Sequence, residues 1–545
     1  MRKKLSIAII GILLAVFYAF KDPYFEISKN LEIFTTIYQK LNTSYVDELE
    51  PGSLMDAAIN AMLKKLDPYT NYIPESKVEE FRIRTQGSYG GVGASIIKMD
   101  DYVVISEVYE SAPAQLAGLI PGDKLLKIDK TDVKGKSTKE IGEVLKGQAG
   151  TDVLVEVERI GETKSLDFEI TREEVDIPSI PYTGVIHDKI GYIRLRSFTR
   201  NCSREVGEAF NTLKTNDNIE SLVIDLRGNP GGLLGEAINM CNLFIPNGEL
   251  VVSTKGKLKE HDKSYKTQKK PLDEKIPIVV LVDQGSASAS EIVSGTFQDI
   301  ERAVVIGNQT FGKGLVQQTM PMPYNAQVKI TTAKYYTPSG RCIQAIDYSS
   351  RNEDGSVGKI ADSLRTEFTT RAGRKVYDGG GVKPDIEVEI KEYPSIIVSL
   401  IRDHHIFNFA NIFASQNTDI ADPLTFEITD EIYADFVTYL EEQAYTYETH
   451  TEQAFELLEE TAEGEEYLDA IKSDIETLKK AYFSHKANDI EKYKSEIKEF
   501  LLDEIVLRYY YRKGQLQVAL KYDPATRQAI ELLLSPKDYQ DILKP

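Results

Sequence analysis

Ile278-Val279-Val280-Leu281-Val282 runs into Asp283-Gln284-Gly285-Ser286-Ala287-Ser288-Ala289-Ser290-Glu291-Ile292-Val293. So short an apolar run predicts a buried strand. The small residues after it give a tight exit, and Ile292, Val293 and Phe297 recur at helical spacing. A serine between such a strand and a helix N-terminus projects from a fixed backbone with N–H groups nearby. A second strand, Ala303-Val304-Val305-Ile306-Gly307, precedes Thr310-Phe311-Gly312-Lys313-Gly314-Leu315-Val316-Gln317-Gln318. Serine is a poor nucleophile until a base takes its proton. Lysine serves as that base only when neutral, which requires apolar burial or a neighbouring cation. Phe311, Leu315 and Val316 are the expected source of that burial. Gln317 can hold the amine by hydrogen bonding without adding charge. Ser286 and Ser290 compete as nucleophiles, against their plainer reading as turn and cap residues. The plain reading of Lys313 is an exposed loop lysine.

Ser-Ala-Ser-Ala-Ser-Glu followed by Phe-Gly-Lys-Gly-x-Val-Gln-Gln resembles the C-terminal processing peptidases, also called tail-specific proteases. In that family a serine and a lysine 25 positions later form the catalytic dyad, with a glutamine four beyond. The positions that match are Ser288, Lys313 and Gln317. The resemblance selects Ser288 over its two neighbours and implies a serine endopeptidase without cofactor or metal.

Upstream, Ser221-Leu222-Val223-Ile224-Asp225-Leu226 reads as another buried strand, followed by Arg227-Gly228-Asn229-Pro230-Gly231-Gly232 and a helix through Phe244. The recurring strand, glycine turn and helix predicts a mixed α/β core with parallel crossovers. A glycine turn at a helix start presents N–H groups to an anion. A phosphate loop is disfavoured, because no Gly-Lys-Ser/Thr ending follows. In the family this turn supplies half of the oxyanion hole, from Gly231 or Gly232, and the other half is the N–H of Ala289.

Between Phe81 and Glu174 the pattern changes to short strands and glycine turns. Tyr89-Gly90-Gly91-Val92-Gly93 opens it, and Ala117-Gly118-Leu119-Ile120-Pro121-Gly122-Asp123 lies within it. This stretch resembles a PDZ domain. Such a domain adds a peptide strand to its sheet edge and holds the terminal carboxylate on the backbone of a glycine loop. Gly91, Val92 and Gly93 are at the matching loop, where glycine lets the backbone approach closely. As a nucleotide fingerprint the same glycines fail, since no GxGxxG is formed.

Composition narrows the function. A chain of 545 residues with net charge −20 lacks the basic face that nucleic acid demands. Its three cysteines, Cys202, Cys241 and Cys342, have no CxxC spacing, and no metal-ligand pattern appears among the six histidines. The basic start Met1-Arg2-Lys3-Lys4 precedes an apolar run from Leu5 to Phe20. The run is shorter than the roughly 20 residues of a spanning helix, and no small-x-small cleavage site follows it. An uncleaved anchor is preferred over a cleaved, soluble periplasmic form. With the resemblance, either places the catalytic part in the periplasm of a bacterial cell envelope.

Residues 22–80 read as helices, with Leu31, Phe34, Ile37 and Leu41 at one spacing and Ser53–Leu66 repeating it. In the family this region often supports dimer contact. Ser349–Val376 reads as a polar surface insertion, and Gly379–Asp385 as the closure of the core. The expected architecture is multidomain α/β. It comprises an anchor (1–21), a helical N-terminal region (22–80), a PDZ domain (81–174), a mixed α/β, crotonase-like peptidase core (175–394) and a helical C-terminal region (395–545). The family motifs end near residue 390, which leaves the last region to pack on the core, pair subunits or recruit an adaptor. Expected partners are proteins with free C-terminal tails, the membrane, and a second copy or an adaptor. Three competing readings are weighed against the peptidase. An inactive envelope adaptor does not need Ser288, Lys313 and Gln317 together. A crotonase-like acyl-transfer enzyme has no use for a PDZ domain. A histidine-dependent protease lacks GxSxG around Ser288, although His187 and His261 lie within the core.

Overall fold

A computed structural model describes residues 23–348, 357–389 and 391–544. The anchor reading at Leu5–Phe20 and the start of the polar insertion lie outside the described residues. Among those described, no helix is long and apolar enough to cross a membrane. The chain divides into two compact units. The first contains the described residues up to Glu75 together with Gln317–Thr331; the second contains Ser76–Val316 and Thr332 onward.

In the first unit, helices Pro23–Ser44 and Pro51–Lys64 follow the expected apolar spacing. The Tyr38 hydroxyl ties them by donating to Pro51 O at 2.8 Å. The break at Asp67 is an Asx turn, in which Oδ1 accepts from the N–H groups of Tyr69 and Thr70, both at 2.8 Å. Strand Asn71–Ile73 then pairs antiparallel with Gln327–Lys329. Leu31, Phe34, Ile37 and Leu41 are exposed, so the described residues leave the stripe that makes the first helix amphipathic uncovered.

The second unit begins with the β-rich domain. Its sheet runs in the order Ala94–Met99, Tyr102–Val108, Lys124–Ile128, Asp152–Glu158, Leu166–Thr171. Ala94–Met99 is therefore an edge strand, and helix Thr138–Leu145 packs beside it. Ser137 and Glu140 start that helix with a capping box.

The second sheet of this unit has strands β1 (Tyr182–His187), β2 (Ile190–Arg194), β3 (Ser221–Asp225), β4 (Ile278–Val282), β5 (Val304–Gly307) and β6 (Ile386–Glu387), paired in chain order. All neighbours are parallel except β1 with β2. Three of the crossovers between parallel strands run through helices. They include α1 (Cys202–Asn216), α2 (Leu234–Asn242) and α3 (Ala289–Asp299), which form one core with Leu222, Ile224, Ile278, Val280 and Val282. The alternate residues Val223, Val279 and Leu281 face the other way. There they meet Leu516 of α4 (Lys494–Tyr522), Ala525, Ala529 and Leu532 of α5 (Pro524–Leu533), and Tyr539 of α6 (Pro536–Leu543). A strand covered on both faces reads as an unbroken apolar run, which β4 does.

The last helices are thus part of the core built on this sheet. The Tyr539 hydroxyl donates to Ile278 O and accepts from Ile278 N, both at 3.0 Å, at the start of β4. The sequence left packing on the core as one of three open roles for this region, because its helical period shows an apolar face but not what covers it. A further helical cluster, centred on Phe409, Phe436, Leu501 and Ile505, forms a core of its own. In α4, Tyr511 has φ 52° and ψ −164°, which breaks the helix and places its ring against the β-rich domain's core.

Also in α4, burial pushes the Asp503 carboxyl up to about 7, despite a hydrogen bond from Gln515 at 2.6 Å. An acid whose folded pKa lies above its unfolded value, about 3.9, takes up a proton on folding. Its stabilising effect is full below that unfolded value and is lost as pH rises through about 7. Asp503→Asn is therefore expected to gain stability relative to wild type between pH 5 and pH 8, on the order of 3 kcal/mol. Chemical denaturation at the two pH values measures this. An unchanged difference between variant and wild type contradicts it.

Candidate active site

The loop from β4 to α3 is fastened by its small polar residues. Asp283 Oδ1 accepts from Gly228 N at 2.8 Å and from Gly285 N at 2.9 Å. Ser286 is fully buried and donates to Leu226 O at 2.8 Å. Ser290 is also fully buried and donates to Asn229 O at 2.9 Å. Ser288 differs from both. It is only partly buried, and it caps α3 with φ 54° and ψ −109°, a strained backbone for a residue with a side chain. The next residue opens the helix, and among the described residues Ala289 N–H meets no backbone acceptor.

The glycine turn after β3 packs directly on this elbow. Asn229, fully buried, donates to Leu195 O at 2.9 Å and accepts from Gly231 N at 2.9 Å. Its own carbonyl also accepts from Ala287 N at 3.0 Å. Gly231 has φ 94°, and a Cβ there would lie 2.6 Å from Ala287 O, 2.8 Å from Ala289 N and 2.9 Å from Ser288 Cβ. Gly231 O accepts from Phe198 N, and Leu233 N donates to Phe198 O. Gly231 N is thus committed, whereas Gly232 N finds no backbone acceptor among the described residues. Among the described residues, the amides of Gly232 in this turn and Ala289 in the elbow thus meet no backbone acceptor.

The turn is anchored from below by Asp225. Burial alone would raise this carboxyl, but Arg227, Arg194 and Tyr192 outweigh burial and hold it below its ordinary value. Arg227 bonds Asp225 and also Asp523, at the start of α5.

The main chain of Lys313 comes to the same elbow from a separate loop. Gly312 has φ 84°, and a Cβ there would lie 2.4 Å from Ala345 Cβ, so the chain needs glycine to pass. Two buried side chains join this loop to the serine elbow. Glu291 Oε2 accepts from Ser288 N at 2.8 Å and from Lys313 N at 2.9 Å. Its Oε1 accepts from the Thr310 hydroxyl at 2.6 Å and from Gly312 N at 2.7 Å. Burial outweighs the four donors and leaves this carboxyl raised above its ordinary value. Four donors on one carboxylate describe an acceptor-only group. The Tyr335 hydroxyl, in turn, lies 2.6 Å from Lys313 O and 3.0 Å from Ser288 O.

The source of apolar cover differs from the expected one. Phe311 is 48% exposed, whereas Leu315 is buried and Val316 packs on the core. Phe311 turns outward because the bonds at Gly312 and Lys313 fix the backbone beside it. Gln317 belongs to the first unit, where its amide donates to Thr331 Oγ1 at 3.3 Å. His187 is exposed at the end of β1. His261 lies in a short 3-10 turn, where its carbonyl accepts from Thr254. Glu291, Tyr335 and Asn229 escaped the sequence reading. Only Glu291, three residues after Ser288, carried a local signal, that of a capping box.

In the β-rich domain, Gly91 ends strand Ser88–Gly91, and Gly91 and Val92 are buried. The Val92 side chain is a core residue, so the loop offers its backbone there. Val92 O accepts from Ala114 N at 2.7 Å and Gly93 O from Tyr109 N at 2.9 Å, which pins the loop through its carbonyls.

Comparison with known proteins follows the same divisions. Residues 189–349 match peptidase family S41, and residues 104–159 match the PDZ domain. Residues 396–533 match a family described as the C-terminal helical domain of a probable PDZ-protease, so the likeness extends beyond residue 390, where the sequence reading had ended it. A carboxy-terminal-processing protease of Bartonella bacilliformis is 36% identical over 321 residues, covering 58% of this chain and 73% of that protein. A probable CtpA-like serine protease of Staphylococcus aureus is 33% identical over 374 residues, covering 68% of this chain and 67% of its own. Among solved structures, the photosystem II D1 C-terminal processing protease is 26% identical with a TM-score of 0.37, covering 65% of this chain and 92% of that one.

Proposed function

The chain belongs to the carboxy-terminal-processing proteases of peptidase family S41 and is a serine-type peptidase; we propose that Ser288 is its nucleophile and Lys313 its general base. The observation that carries this reading is the contrast among three neighbouring serines. Ser286 and Ser290 are buried and bonded, while Ser288 is partly exposed on a strained elbow, next to the glycine turn and to amides of Gly232 and Ala289 that meet no backbone acceptor among the described residues.

In this scheme Ser288 Oγ attacks the scissile carbonyl and passes its proton to the neutral Lys313 amine. The new oxyanion accepts from Gly232 and Ala289 N–H, each donor contributing about 3–4 kcal/mol to the transition state. The lysine then protonates the leaving amine. Water, deprotonated by the same lysine, releases the acyl group. Because the amine must be neutral, kcat/KM rises with pH to a plateau.

The PDZ domain supplies substrate choice in the same proposal. A substrate tail adds to the edge strand Ala94–Met99, and its carboxylate meets the backbone of Gly91, Val92 and Gly93. Digestion of an unfolded protein with a free or an amidated C-terminus, by wild type and by Ser288→Ala, tests the scheme. Cleavage by wild type only, and preferentially of the free form, is expected. Equal cleavage of both forms removes the tail-reading role, and cleavage by Ser288→Ala removes the nucleophile.

The N-terminal segment, basic and then apolar, supports an anchor that leaves the peptidase outside the cytoplasm of a bacterium. The uncovered stripe Leu31, Phe34, Ile37 and Leu41 supports pairing with a second copy. Leu31→Asp with Ile37→Asp is expected to halve the mass measured by light scattering without loss of the helices. A wild-type monomer, or an unchanged dimer, contradicts it.

A further inference from the structure

We infer that Tyr335 is a positioning residue for the reaction, setting Lys313 against Ser288 through its hydroxyl. The inference rests on the Ser288–Lys313 reading given above. These two residues sit on separate loops, 25 positions apart, so neither loop alone fixes their spacing. Their main-chain N–H groups share one acceptor, Glu291 Oε2. Their carbonyls share one donor, the Tyr335 hydroxyl, at 3.0 and 2.6 Å. Together these two side chains brace both catalytic peptides.

The two braces differ in kind. Glu291 is surrounded by four donors and is fixed by them. A phenol has one proton to share between two carbonyls, and the distances show it leaning toward Lys313. The ring is held apart from the serine loop. It is buried in the main core and its strand pairs with Thr254, while the Tyr335 main-chain N–H donates to Gly314 O of the lysine loop at 3.0 Å. The hydroxyl is therefore a fixed point against which both loops are set. Removing it takes away the one side-chain donor that the Lys313 and Ser288 carbonyls share, and loosens the Lys313 carbonyl relative to the serine elbow. A displacement near 1 Å between reacting groups costs on the order of 100-fold in rate.

The test replaces the donor while keeping the ring. In the full chain, Tyr335→Phe is expected to lower kcat by about 10- to 100-fold. KM should stay within twofold (~2) and the melting temperature should be nearly kept, because the substrate never touches the ring. The midpoint of the pH–kcat profile should move, since the lysine is re-sited. 4-Aminophenylalanine at 335 restores an N–H donor at the same place and is expected to recover most of the rate. 4-Fluorophenylalanine at 335 fills the volume without a donor and replaces the phenylalanine enzyme should that fail to fold. Wild-type kcat and pH profile in the donor-free enzymes overturn the inference, as does equal impairment of the amino and donor-free forms. Lys313→Ala, run alongside, separates the two claims. An inactive Lys313→Ala with an unimpaired Tyr335→Phe removes only the tyrosine's role, whereas an active Lys313→Ala removes the dyad and this inference with it.

Discussion

Lys313→Ala is expected to lower kcat/KM at least about 10³-fold, with the fold retained. Lys313→Arg is expected to fail as completely. Arginine keeps the charge and most of the length, but its guanidinium does not deprotonate in proteins, so it cannot accept the serine proton. The pair of variants separates a base from an electrostatic role. If Lys313 served only by its positive charge, arginine would retain much of the rate. Steady-state cleavage of an unstructured polypeptide, with melting temperature as a control for folding, makes the measurement. Loss in the alanine enzyme alone would contradict the general-base assignment.

Gly231→Ala should be nearly as damaging, for a steric reason. The added methyl meets Ala287 O at 2.6 Å, Ala289 N at 2.8 Å and Ser288 Cβ at 2.9 Å, the first two of them main-chain atoms of the nucleophile loop. It also sits at φ 94°, where a side chain is strained by about 1–2 kcal/mol. The loop must move to admit it, and the elbow and the Ala289 donor move with it. A fall of about 100-fold or more in kcat is expected, the scale for losing one oxyanion donor. Gly228→Ala is the matched control. Its φ is 67°, but a Cβ there meets nothing within 4 Å. It should lower stability slightly and leave kcat within several-fold. Equal effects of the two substitutions would show that backbone strain, and not contact with Ser288, sets the loss.

The sheet was legible from sequence because β3 and β4 are covered on both faces and spell unbroken apolar runs. The small residues between Val282 and Ile292 marked the strand-to-helix elbow for the same local reason. The choice between Gly231 and Gly232 was not legible. It depends on the Asn229 side chain turning back onto one of two equivalent amides, which spacing cannot express. Tyr335 was invisible as a brace, because it lies 47 positions from Ser288 and reads only as a strand residue. Phe311 misled because apolar character next to Lys313 says nothing of direction, and the bonds of Glu291 to the neighbouring backbone turn that side chain outward. The last helices were readable as helices from their period, but their place on β4 rests on contacts such as Tyr539 with Ile278, 261 positions apart.

The most direct measurement is the rate and site of acylation by a serine-directed covalent probe, followed by intact mass and peptide mapping across a pH series. One adduct on Ser288 is expected in wild type, at a rate that rises with pH to a plateau. Ser288→Ala should take none, and Lys313→Ala should be slowed by at least about 100-fold. An adduct on Ser286 or Ser290, or wild-type labelling of Lys313→Ala, would contradict the account.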